Sequence, residues 1–98
     1  MMVGGLSPSK PANEKIQYLV DQVKSQYQEK SNEECEVFEA ICYKTQMVAG
    51  IIYFVKVYIG NHRYIHLKVF QSLPYKNEPP QLLNYQTGKT EDDELTYF

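Results

Sequence analysis

Residues 51–70 read Ile-Ile-Tyr-Phe-Val-Lys-Val-Tyr-Ile-Gly-Asn-His-Arg-Tyr-Ile-His-Leu-Lys-Val-Phe. Ile51, Tyr53, Val55, Val57 and Ile59 recur with a period of two, and so do Ile65, Leu67 and Val69. Successive side chains of a strand point to opposite faces, so each set marks one buried face. Lys56, Tyr58, His66 and Lys68 fall on the other parity and are expected to face water. The short Gly60-Asn61-His62-Arg63 connection between two such runs is an antiparallel hairpin signal. A sheet of this kind packs one face on a core and wets the other.

The rest of the chain supplies that core. Asn13 is a helix N-cap residue, and Glu14 follows in the first turn, where the helix dipole favours an anion. Ile16, Leu19, Val20, Val23 and Tyr27 then keep the spacing of one apolar helical stripe. The spacing predicts a helix from about residue 14 to about residue 33, with Lys15, Gln22, Gln26 and Glu29 outside the stripe. Residues 37–44 read as a further strand. Ser72–Pro80 holds three prolines and is expected to be irregular. A weaker strand signal ends at Leu95-Thr96-Tyr97-Phe98. Residues 1–12, with two Gly and two Pro, are expected to form an extended, mobile arm. The fold class is α+β: one long helix wrapped by an antiparallel sheet of four to five strands, in a single domain over residues 1–98.

Composition narrows the function. The 98 residues carry 10 Lys and Arg against 12 Asp and Glu, a net charge of −2. Lys and Arg are not clustered, which argues against a nucleic-acid surface. No apolar run approaches the roughly 20 residues of a membrane helix. The first residues lack the charged and apolar regions of a secretory leader, so the expected location is cytoplasmic. In that reducing setting Cys35 and Cys42 are expected as free thiols. No cofactor is expected. His62 and His66 stand four apart on a strand-and-turn segment with no thiolate cluster, so no metal site is expected either. Cys42 and His66 are candidates for a thiol–imidazole pair. They lack a third orienting group and an anion hole, so the chain is not expected to be an enzyme.

Gln46-Met47-Val48-Ala49-Gly50 lies between two strand signals, where a polar turn is usual. An apolar tip has no core to enter, and burial by a partner is the common reason to keep one. In a meander, alternate connections emerge at the same end of the sheet. Gln46–Gly50 and Ser72–Pro80 can therefore reach one partner together, with the Gly60 turn at the opposite end.

The pattern Gln46-x-Val48-x-Gly50 resembles the first inhibitory loop of the cystatins. Gly4-Gly5 before the helix and Leu73-Pro74 in the later turn extend the likeness, in the same order. The tail Asp92-Asp93-Glu94-Leu95-Thr96 is similar to that of the stefins, the cytosolic branch of that family. The resemblance implies reversible, competitive, tight-binding inhibition of papain-like cysteine proteases such as cathepsins. It implies a wedge made of the arm, with Val3, Gly4 and Gly5, a first loop of Gln46, Met47, Val48, Ala49 and Gly50, and a second loop of Leu73, Pro74 and Tyr75. Secreted cystatins carry Trp after the proline, where this chain has Tyr75. The alternative is a non-inhibitory interaction module on the same fold. The chain is expected to be a monomer, with an inactive domain-swapped dimer reached if the first loop straightens.

Overall fold

The structure is a computed structural model that describes residues 5–98. Five antiparallel strands lie side by side in sequence order: β1 (Lys10–Pro11), β2 (Glu39–Val48), β3 (Gly50–Tyr58), β4 (Tyr64–Gln71) and β5 (Gln81–Lys89). A single helix, α1 (Glu14–Ser31), crosses the inner face between β1 and β2.

The helix starts and stops for identifiable reasons. The Asn13 side chain accepts a hydrogen bond from the Ile16 backbone N–H at 3.0 Å, which satisfies one of the free donors of the first turn. At the other end Asn32 takes left-handed angles and ends the helix at Ser31, slightly short of the predicted boundary. The whole predicted stripe of Ile16, Leu19, Val20, Val23 and Tyr27 is buried. It packs on Tyr53, Val55, Val57, Ile65, Leu67, Val69 and Leu82 from the sheet. Register shifts at Ala40/Cys42, Tyr64/His66 and Lys68/Val69 mark irregularities of the kind that bend a strand and increase its twist.

Glutamines on the helix join it to the strands, a role that periodicity does not reveal. The Gln26 side chain donates to the Pro80 carbonyl and accepts from the Leu82 N–H. Gln17 does the same for the Phe38 carbonyl and the Ala40 N–H. Each side chain holds the first residues of a strand in place against α1.

Four expectations from the sequence are corrected. The first is the free arm up to residue 12. Ser7 N–H donates to the Thr45 carbonyl, Lys10 and Pro11 pair with Tyr43 and Cys42, and Ala12 N–H donates to the Ile41 carbonyl. The edge of β2 offers unpaired backbone groups, and residues 7–12 satisfy them. The second is the strand over 37–44. β2 begins at Glu39 and runs on to Val48, taking in part of the apolar tip. The third is the last strand, which is Gln81–Lys89 and not the terminal residues. The fourth is the wet outer face. His66 and Lys56 are buried, and Phe54 is 0% exposed. Residues 90–98 return across that face, placing Tyr97 and Phe98 on the Phe54 ring, which completes a second apolar layer.

Candidate functional site

The β2–β3 and β4–β5 connections lie side by side at one end of the sheet. Their proximity follows from register. Val48 pairs with Gly50 around Ala49, and Ile51 pairs with Gln71, the last residue of β4. The Gly60–Arg63 turn closes the opposite end of β3 and β4.

The first tip is narrower than the sequence suggests. Gln46, Met47 and Val48 already pair with Ile52, Ile51 and Gly50, so Ala49 alone stands outside the ladder. Gly50 makes this turn with φ at +130°, a backbone region closed to most side chains. The packing closes it further, because a Cβ on Gly50 would lie 2.6 Å from the Gln71 carbonyl oxygen. Gln46 is buried at the base of the tip, whereas Met47 is 70% and Val48 46% exposed. Met47 and Val48 are consecutive and so point to opposite faces of the hairpin, and both are exposed because the tip extends beyond the core.

The second connection is held by a short 3₁₀ turn, Pro74–Lys76. Pro74 sits where its fixed φ suits the first helical position and where its missing N–H leaves nothing unsatisfied. Lys76 N–H donates to the Leu73 carbonyl and Asn77 N–H to the Pro74 carbonyl. Asn77 accepts the left-handed conformation that ends the turn. The Gln71 side chain donates to the Glu78 carbonyl and ties the far side of the loop back to β4. Leu73 and Tyr75 remain exposed.

The two tips form one apolar edge of Met47, Val48, Ala49, Leu73, Pro74 and Tyr75, without a charged side chain among them. Of the residues singled out in the arm, Gly5 is described and exposed, and Val3 and Gly4 lie outside the described residues. The pairing of Ser7 with Thr45 and of Lys10 with Tyr43 runs antiparallel to β2, so the chain approaches Gly5 in the direction of the Met47 tip.

A cleft of about 470 Å³ lies behind this edge, between the tips and the first turns of α1. Ile16, Tyr18 and Leu19 line it together with Met47, Leu73 and Pro74. Tyr18 and Phe70, whose ring backs Gly50, were not singled out in the sequence. Tyr18 falls outside the helical stripe, and Phe70 reads simply as the end of a strand, so neither gave a signal.

Cys42 and His66 stand on different strands of the sheet. Cys42 on β2 and His66 on β4 both pair with Lys56 on β3, from opposite sides. Two strand spacings, about 10 Å, therefore separate their backbones. Cys35 and Cys42 are free, and burial pushes the Cys35 thiol pKa up, away from the reactive thiolate. Among the described residues no group of three or more His, Cys, Asp or Glu side chains is placed to hold a metal ion, and no helix is long and apolar enough to cross a membrane.

Residues 4–92 match the sequence profile of the Cystatin domain. Cystatin-A of Felis catus is 55% identical over 98 residues, covering all of both chains. Cystatin-B of Homo sapiens is 51% identical, again over the full length of both. A protein of Sus scrofa named Leukocyte cysteine proteinase inhibitor 1 is 49% identical over all of this chain and 95% of its own.

Proposed function

The chain belongs to the cystatin family, and we propose that it is a reversible, competitive, tight-binding inhibitor of papain-like cysteine proteases, cathepsins among them. The observation that carries this reading is the apolar edge at one end of the sheet, with Met47 and Tyr75 more than two-thirds exposed. Such an edge is a solubility cost for a free protein and an asset for one that docks.

Inhibition on this reading is steric. The edge enters the groove where a substrate peptide would lie, with Val48 and Ala49 from the first tip and Leu73, Pro74 and Tyr75 from the second. Val3, Gly4 and Gly5 occupy the adjoining substrate pockets. Hydrolysis needs a peptide carbonyl held about 3 Å from the nucleophile and aimed at an oxyanion hole. A pleated hairpin tip flanked by ladder hydrogen bonds does not hand over an extended peptide in that geometry, so the cleft is filled without a bond being cut. Preorganisation adds to affinity, because Gly50 and Pro74 already hold their tips in the docking conformation. The protein itself supplies no catalysis.

A monomer in a reducing, cytoplasmic setting fits two free thiols. The same first tip is the natural hinge for a swapped dimer. If β2 and β3 straightened through Ala49, the arm, α1 and β2 would exchange between copies and the edge would be lost, leaving an inactive species.

Titration of papain with the purified protein, read with a fluorogenic peptide, tests the reading. Stoichiometric loss of activity, restored on dilution, is expected. Full activity at a large molar excess would overturn it.

A further inference from the structure

The covered outer face of the sheet contains a group that the inhibitory reading does not use. His66 is 0% exposed, and neither Nδ1 nor Nε2 meets a hydrogen-bond partner among the described residues. Its register partner on β5, Gln86, has an unpartnered buried Oε1 as well. Buried polar atoms are nearly always bonded, and an exception calls for an explanation.

The cover over His66 is the C-terminal segment. The chain turns at Thr90, where the Asp93 carboxylate accepts from the Thr90 N–H at 2.8 Å, and runs back over the sheet. Two lysines hold it. Lys56 Nζ donates to the Glu91 carbonyl and Lys68 Nζ to the Phe98 backbone oxygen at 2.6 Å. Lys56 is the β3 partner of His66, and Lys68 follows it by two on β4, so the anchors bracket the imidazole. Leu95 is 2% exposed within the segment, and Tyr97 and Phe98 pack on Phe54.

The charges around the imidazole oppose a proton. Lys56 reaches it from β3 and Lys89 from β5, against one carboxylate, Asp93, from the returning segment. On its own strand it has Tyr64 on one side and Lys68 on the other. Burial first, then Lys89 and Lys56, pull the His66 pKa down from 6.5 to about 4, with Asp93 acting the other way. A proton taken up beneath the closed segment would add a further cation to a buried pocket. Lifting residues 90–98 admits water and relieves that cost.

We propose that His66 is a proton-operated latch: its neutral imidazole lets residues 90–98 close over the sheet, and its protonation opens them. The sign follows from the depressed folded-state pKa. The contribution of neutral His66 to closure is complete above the ordinary histidine value near 6.5 and is lost as pH falls toward 4. The protein therefore presents a closed outer face at neutral pH and an open one as pH falls toward 4.

Solvent exposure of the Leu95 methyls, read by NMR with a neutral soluble paramagnetic agent, tests this alongside the His66 ring titration. Between pH 7 and 4.5 the Leu95 enhancement is expected to rise at least five-fold, with Leu19 in the helical core unchanged. In His66→Leu, which keeps every carboxylate, Leu95 is expected to stay shielded at pH 4.5. Equal opening in wild type and His66→Leu would overturn the proposal, as would a shielded Leu95 beneath a protonated wild-type ring. Should His66→Leu not fold, Lys89→Gln decides: loss of that cation is expected to move ring titration and opening together to higher pH, and an unmoved opening midpoint would overturn the latch.

Discussion

A Cβ placed on Gly50 would stand 2.9 Å from Cε1 of the Phe70 ring, closer than non-bonded Cβ contacts in proteins come. The Gln71 backbone carbonyl, closer still at 2.6 Å, and a φ of +130° leave glycine as the first residue of β3, so the end of one strand shapes the tip formed by its neighbour.

Gly50→Ala is expected to destabilise the protein by about 2 kcal/mol, through positive-φ strain and overpacking against Phe70 and Gln71. It should weaken protease inhibition at the same time. Gly88→Ala is the control. Its φ is +68°, but nothing lies within 4 Å of its Cβ position, so only backbone strain of about 1 kcal/mol is expected. Urea denaturation of both variants checks the order.

Val48→Asp is expected to raise the inhibition constant for papain by about 100-fold, because it places a charge in a contact that must shed water. Val48 is almost half exposed in the free protein, so the melting temperature should stay within about 2 °C of wild type. A collapse in melting temperature would place Val48 in the core and remove it from the docking edge.

Removal of residues 1–4 is expected to speed dissociation from papain by about 10-fold, with the association rate little changed. The pairing of residues 7–12 with β2 begins beyond the deletion, so thermal stability should be unaffected. Stopped-flow association and displacement measurements separate the two rates.

Gln26→Ala is expected to cost about 2 kcal/mol, since it strands the Pro80 carbonyl and the Leu82 N–H at the start of β5. Gln22→Ala, whose side chain reaches only the carbonyl of the preceding turn on an exposed surface, should be within about 0.5 kcal/mol of wild type. Chemical denaturation compares them.

Alkaline stability is expected to depend on Tyr27. Burial, then a hydrogen bond donated to Glu33, pushes its pKa from 10.0 up to about 12. A raised folded-state pKa means the stabilisation is complete below pH 10 and is lost as pH rises toward 12, about 2 kcal/mol in all. Tyr27→Phe should flatten that part of the stability profile, measured by denaturation at pH 9, 10.5 and 12.

The helix and the central hairpin were legible in the sequence because burial there is written as a period. The stripe from Ile16 to Tyr27 and the alternation from Ile51 to Val69 each state which side chains leave water. Strand order then placed the two apolar connections at one end, a consequence of antiparallel geometry that needs no side-chain detail. The glutamine clamps were not legible, since a polar residue beside an apolar stripe reads the same whether it meets water or a strand.

The sequence by itself determined the α+β class, the core stripe and the apolar tip, because each depends on local spacing and local polarity. Only the tertiary structure decided that β2 runs on to Val48, that residues 7–12 pair with its edge, and that His66 is buried. Those outcomes depend on groups distant in the chain. Phe70 closes on Gly50 across a strand pair, Ser7 finds Thr45, and residues 90–98 return over Phe54 and His66. A period reports which face of a strand points away from one core, and it carries no information about a second segment that later covers the other face.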